Sequence, residues 1–319
     1  MHRTACSLLL VLGVLLGSGA EVARADPPEA AAVAPDPAPP SDATRVVILG
    51  SGGPPPDPDR SGPAVAVVSA GRAYLVDFGP GVVRRAVEAS RMGWPALEPR
   101  RLTTAFLTHL HSDHTAGYAD LILTPASMGR TRPLEVYGPP GLAAMTRHLL
   151  AAYGVDLAER KVGKAPGQLA GYRVNAHEIE PGPIYKDGVV SVRAFAVDHG
   201  RWEHAYGYRF DAADRSIVIS GDTRPSDAVI EACSGCDVLV HEVYCEADLR
   251  RAPPRGRTYF KANHTSTREL AGLARRAKPE LVVLHHLLLA GCSGEDLLAE
   301  MEQYGYPGKV AVGDDLTAH

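Results

Sequence analysis

The stretch Thr108-His109-Leu110-His111-Ser112-Asp113-His114-Thr115 constrains this chain more than any other. Three imidazoles and one carboxylate fall within six residues, in the pattern H-x-H-x-D-H. Neutral imidazole nitrogen and carboxylate oxygen are the ligands Zn²⁺ takes. The preceding run, Leu102 to Leu107 (LTTAFL), reads as a buried strand. The motif therefore stands in a loop at a strand's carboxyl end. There, alternate residues converge on one point while Asp113 and His114 face a second, so one segment starts two adjacent metal sites.

The same placement recurs. Strands read over 189–197, 216–220, 237–240 and 281–284 run into His199, Asp222, His241 and His286 respectively. Polar groups just past several strand ends are how α/β proteins build sites. Other strands are expected at 45–49, 64–69, 73–76, 134–137, 172–179, 205–210 and 309–312. Helices are expected at 82–92, from 116, at 141–153, after 223, at 267–277 and at 296–304; residues 154–171 read as loop. Hairpins mixed with αβ units imply two mixed β-sheets with helices outside, an αββα sandwich.

Hydrophobic residues make up 45% of the 319, enough for a sizeable core, and charged residues 22%, too ordinary for a disordered chain. The formal net charge is -4 and there is no long Lys/Arg run, which argues against a dedicated nucleic-acid binder. His2 and Arg3 precede the apolar run Leu8 to Leu16, and Ala23-Arg24-Ala25 follows. This is the pattern of a cleavable export signal, residues 1–25, with cleavage before Asp26. The apolar run is short for a bilayer span, so no stable membrane insertion is expected after cleavage. Residues 26–43 are a Pro/Ala-rich linker, and one hydrolase domain is expected over 44–319. The protein is then exported, periplasmic or secreted. Its mature part keeps Cys233, Cys236, Cys245 and Cys292. An even count in an exported chain suggests disulfides, in any of three pairings.

H-x-H-x-D-H, followed in order by A-V-D-H-G, A-Y-G-Y-R, S-G-D-T-R, L-V-H-E and L-H-H, resembles the metallo-β-lactamase superfamily over roughly 45–315. The similarity is greatest to its ribonuclease Z-like branch and to exported arylsulfatase-like members. Arg60-Ser61-Gly62-Pro63-Ala64 looks like the latter. The resemblance implies that His109, His111 and His199 hold one zinc, that Asp113, His114 and His286 hold a second, and that Asp222 bridges them. The last position falls on His285 or His286; the lead-in Lys278-Pro279-Glu280 favours His286. Two such ions, zinc by preference with manganese or iron as alternatives, lower the pKa of a shared water to near neutral and clamp attacking and leaving oxygens. The resemblance further implies that His264 donates a proton to the leaving oxygen or stabilises it. Glu242 would orient His264, and Asp113 would also hold the nucleophilic water. His204 and Trp202 are candidates to line the pocket, and Arg224 reads as a salt-bridging residue.

The tRNA-processing members carry a protruding arm between the G-Y-R and S-G-D segments. Here only Asp211 to Arg215 separates Phe210 from Ser216, so tRNA is not expected as a partner. The expected activity is hydrolysis of a small-molecule phosphodiester or sulfate ester by a metal-bound hydroxide. A lactone or β-lactam hydrolase and a non-catalytic metal-binding protein are the alternatives. Specificity is expected from loops 124–133 and 154–171. The resemblance allows a homodimer, on which no residue bears.

Overall fold

A computed structural model describes residues 43–319. The expected export signal and the linker up to residue 42 lie outside the described residues. The first sheet contains β1 (Arg45–Gly50), β2 (Ala64–Ser69), β3 (Arg72–Val76), β4 (Thr104–Phe106), β5 (Leu134–Gly138) and β6 (Val174–Glu178), hydrogen-bonded in that order. The second contains β7 (Gly182–Lys186), β8 (Val190–Ala196), β9 (Tyr206–Ala212), β10 (Ser216–Ile219), β11 (Val238–Tyr244), β12 (Leu281–Leu288) and β13 (Lys309–Val312), again in chain order. Each sheet changes from antiparallel to parallel pairing, at β3/β4 and at β10/β11.

Alternation along the strands builds three apolar layers. Val46 and Ile48 of β1 face the second sheet, where they meet Val192, Phe210, Val240 and Val283. Their neighbours Val47 and Leu49 face the opposite way, onto Val82 and Val83 of α1 (Val82–Arg91), and the same layer includes Leu121 of α3 (Tyr118–Ser127), which follows the short α2 (Ser112–Thr115). Phe106 joins the sheets, its ring 5.4 Å from that of Phe210. Outside the second sheet, Val218, Leu239 and Val282 pack on helices described below. This is the αββα sandwich the sequence predicts.

After β5, α4 (Leu142–Ala152) is followed by α5 (Gly154–Lys161) and α6 (Pro166–Leu169). Residues 154–171 are thus mostly helical, not loop. The periodic signal is faint there because Leu157 is the only buried side chain of α5. The helix instead carries an i,i+4 ion pair, Asp156–Arg160. The helices over the second sheet are α7 (Asp227–Cys233), α10 (Thr267–Ala277) and α11 (Gly294–Gln303). Between α7 and α10 come α8 (Glu246–Arg251) and α9 (Pro254–Asn263), which the sequence reading missed. No residue of α9 is buried, so no apolar stripe marks it. Strand β7 was also missed; it is an edge strand containing Pro183, at a register shift in its pairing with β8, where proline is tolerated. Both β11 and β12 run past their expected ends, through His241-Glu242 and His285-His286.

The strand directions decide where the site lies. β10, β11 and β12 are parallel. β8 is antiparallel to β9 and β9 to β10, so β8 runs with them. The carboxyl ends of β8 and β10 therefore reach one edge, where β11 and β12 bring their own polar residues. Two disulfides, Cys233–Cys236 and Cys245–Cys292, resolve the pairing left open by sequence. The second ties the segment after β11 to the segment after β12. Among the described residues no helix is long and apolar enough to cross a membrane.

Candidate metal centre

His109 follows β4, and His111 caps the single turn of α2, which presents Asp113 and His114. His199 follows β8 and Asp222 follows β10. Gly221 makes the turn before Asp222 at φ 62°, and a Cβ there would stand 2.6 Å from the Tyr206 carbonyl oxygen. His286 comes from a β-bulge. Glu242 pairs with His285 and Val243 with Leu287, so His286 is the extra residue, at φ 44°. The bulge separates two adjacent histidines. The His285 Nε2–H donates to the Gly50 carbonyl at 2.9 Å, while His286 turns to the centre.

Two groups of donor atoms result. His109 Nε2 lies 2.9 Å from His111 Nδ1, and His199 Nε2 lies 3.2 Å from the same atom. Asp222 Oδ2 is 3.9 Å from both His109 Nε2 and His199 Nε2. In the second group Asp113 Oδ2 is 3.2 Å from His286 Nε2 and 3.5 Å from His114 Nε2. Asp222 reaches this group too, with Oδ1 3.4 Å from His114 Nε2 and Oδ2 3.4 Å from His286 Nε2. Ligand atoms at zinc distances of about 2.0–2.1 Å stand roughly 3.3–3.4 Å apart around a tetrahedron. The second group sits at that spacing. The buried atoms His114 Nε2 and Asp222 Oδ1 have no hydrogen-bond partner, and such orphans are rare unless something else satisfies them. By spacing, donor chemistry and these orphans, the residues fit two cations.

The outer ring nitrogens are held in turn, as metal-ligating histidines require. His114 Nδ1–H donates to Asp77 Oδ2 at 2.7 Å. Asp77, at φ 62°, also accepts from the Thr108 N–H at 2.8 Å and the Thr108 hydroxyl. That hydroxyl leaves its oxygen to accept from His109 Nδ1 at 3.0 Å. His199 Nδ1–H donates to the Asn263 carbonyl at 2.8 Å. His111 is different, because Trp202 Nε1–H donates to its Nε2 at 2.7 Å.

Burial, and next the charge on His114, holds the His109 pKa well below normal. Burial likewise takes His111 down to about 4 and lowers His199. All three are thus neutral and ready to ligate near neutral pH. For His114 burial works against charge, but Asp222 and then Asp77 outweigh it and raise the pKa well above normal. Burial opposes ionisation of Asp222, but His286 and His114 overcome it and keep the carboxylate charged.

His264 caps the end of α9 and is buried, with Nδ1 3.2 Å from Glu242 Oε1. Glu242 Oε1 also accepts from the Thr223 N–H at 3.0 Å and the Thr265 N–H at 3.2 Å. Burial and then Asp222 push the Glu242 pKa well up, while burial lowers that of His264. A His264 ring nitrogen lies within 4.8 Å of donor atoms of Asp222 and His286. His241 points away from the centre, its Nδ1–H donating to the Glu242 carbonyl at 2.7 Å. Trp202 borders the site, and His204 Nδ1 lies 3.5 Å from the Tyr206 hydroxyl. Arg224 pairs with Asp198. Sequence reasoning assigned Asp77 no task, although Val76-Asp77-Phe78-Gly79, just past β3, looks like the family's first motif. It also missed Tyr259 of α9, whose ring lies 5.8 Å from that of His264.

Residues 72–287 match the model of the beta-lactamase superfamily domain. A ribonuclease Z of Mycobacterium bovis is 32% identical over 276 residues, covering 85% of this chain and 96% of that protein. The fold is similar to that of human tRNase Z, short form, with a TM-score of 0.64 and 22% identity over 86% of this chain and 98% of that one. It is also similar to the metallo-beta-lactamase fold protein YhfI of Bacillus subtilis, with a TM-score of 0.65 and 18% identity over 86% and 98%. With its paired His/Asp groups at one edge of an αββα sandwich, this chain belongs to the beta-lactamase superfamily and is a metallo-β-lactamase-fold hydrolase with ribonuclease Z relatives.

Proposed function

We propose that this protein is an exported dinuclear-metal phosphodiesterase acting on small molecules. His109, His111 and His199 would hold one ion, Asp113, His114 and His286 the other, and Asp222 would serve both. The observation that carries the reading is Asp222, buried between both groups and reaching each. When bound there, two divalent ions (zinc by preference) supply an activated water near neutral pH and neutralise charge on the reacting oxygens. Asp113 is also placed to orient that water. His264 is the residue placed to protonate or stabilise the leaving oxygen, and Glu242 fixes its ring through Nδ1.

The phosphodiester is favoured over the sulfate ester because the relative quoted above at 32% identity is named ribonuclease Z. Small substrates are favoured over tRNA because β9 and β10 are joined by the three residues 213–215, which leave no room for an arm. Export is supported by the apolar run at 8–16, the A-x-A site and the two disulfides. A native N-terminus at Asp26 in the secreted or periplasmic fraction would establish it.

The test is a side-by-side assay of the zinc-loaded chain on bis-p-nitrophenyl phosphate and p-nitrophenyl sulfate, with Asp222→Ala as control. Asp222-dependent cleavage of the phosphate diester is expected. Cleavage of the sulfate alone would make the protein a sulfatase, and cleavage of neither would remove the esterase reading for simple aryl esters.

A further inference from the structure

Helix α9 forms part of the wall of the metal centre. The carbonyl of its last residue, Asn263, holds His199, and the next residue is His264. Two aromatic side chains of the helix divide the work. Phe260 packs inward, its ring 5.2 Å from that of Tyr244 in an apolar cluster. Tyr259 is outside every apolar cluster and 48% exposed, although its ring lies against His264. Its phenol is close enough to the centre that, after burial, the carboxylates of Asp222, Asp113 and Glu242 raise its pKa. Its ring also meets that of Phe260 at 6.1 Å, edge to face, which leaves about half of it open to solvent beside the centre. Trp202 stands against His111 elsewhere on the rim, 4.8 Å between ring centroids.

The helix is also cationic. Arg255, Arg257 and Lys261 are exposed and α9 contains no acidic residue. Among the described residues none of the three forms an ion pair, in a chain whose formal net charge is -4. Arg255 lies four residues before Tyr259, so it shares its face about 6 Å further out along the axis. His264, Tyr259 and Arg255 thus form a ladder leading outward from the metals.

We propose, resting on the phosphodiesterase reading, that this ladder selects the substrate. The scissile diester sits at the metals, a planar ring stacks on Tyr259, and a second anionic group, one turn further out, meets Arg255. The natural substrate class is a small nucleotide-like diester with a terminal phosphate.

The test uses the full zinc-loaded chain and three probes: bis-p-nitrophenyl phosphate, thymidylyl-(3′→5′)-thymidine, and the same dinucleotide with a 5′-phosphate. The phosphorylated dinucleotide is expected to have a kcat/KM about tenfold above the unphosphorylated one. Arg255→Ala should bring it down to the unphosphorylated level. Tyr259→Ala should raise KM for both dinucleotides about tenfold with little change in kcat, as loss of a stacking platform does, and Tyr259→Phe should restore it. Equal rates on the two dinucleotides, or a preference that survives Arg255→Ala, overturns the proposal. So does a Tyr259→Phe defect as large as that of Tyr259→Ala. If bis-p-nitrophenyl phosphate is cleaved without these preferences, only this inference falls; if no diester is cleaved, the phosphodiesterase reading falls with it.

Discussion

Trp202 Nε1 lies 2.7 Å from His111 Nε2, and this contact sets the tautomer of a candidate ligand. The indole N–H only donates, so Nε2 must accept and the ring proton sits on Nδ1, facing His109 Nε2. A cation on Nδ1 needs the opposite tautomer, with Nε2–H and indole N–H then opposed. The hydrogen bond and a cation on Nδ1 exclude one another, so filling the His109–His111–His199 group must move Trp202. The chain has two tryptophans, so Trp94→Phe leaves Trp202 as sole reporter. Zinc titration of that variant should change its emission with saturation, and chelator should reverse it. Unchanged emission while zinc binds would show that Trp202 stays in place.

Asp77 is the support of the second group through His114. Asp77→Asn keeps the shape but weakens the acceptor that orients His114. Affinity for one of the two ions should drop about 10–100-fold, the usual effect of losing such a partner. Competition with a chromophoric chelator measures it. Two ions bound with unaltered affinity would refute the role.

Acid should destabilise the fold through His285 and His241, both buried. Burial is the chief cause in each, lowering His285 to about 3 and His241 to about 4. The unfolded chain takes up these protons near pH 6.5 while the native state refuses them. Their contribution is therefore complete above about pH 6.5 and is lost as pH falls toward the folded values, at most on the order of 1 kcal/mol per pH unit for each. Urea midpoints in chelator from pH 7 to 4 should fall, and His285→Gln, which can still donate to the Gly50 carbonyl, should flatten the slope. Parallel slopes for both proteins would contradict this.

Arg130 is buried and donates to four backbone carbonyls, those of Leu102, Leu121, Ile122 and Gly171. Burial pulls its pKa down to about 10. Arg130→Met would leave those carbonyls without these donors, costing on the order of 3 kcal/mol. Denaturant unfolding measures the loss; a change below about 1 kcal/mol would mean water replaces the guanidinium.

Much of the sandwich was legible because its signals are local. Helix Thr267–Ala277 and strand Lys309–Val312 fall where the residue pattern puts them, the helix opening with Ser266 and Glu269 as a capping box. What escaped was structure without an apolar stripe. Helix α9 buries nothing, α5 buries only Leu157, and β7 is a proline-bearing edge. Tyr259 and Arg255 were illegible for the same reason: although His264 follows closely, no apolar stripe shows that the segment before it is a helix.

The sequence by itself determined which side chains carry the chemistry, because ligand type and spacing within H-x-H-x-D-H are covalent facts. It also showed the strands that deliver the rest, through alternation in 189–197 and short apolar runs at 216–220, 237–240 and 281–284. Tertiary structure alone decided between His285 and His286, because a one-residue bulge in β12 reverses which of two adjacent side chains faces the centre. It decided the disulfide pairing, and it brought Asp77 under His114 across 37 residues of chain. These outcomes depend on distances between segments remote in sequence, which packing of the two sheets sets and no local pattern encodes.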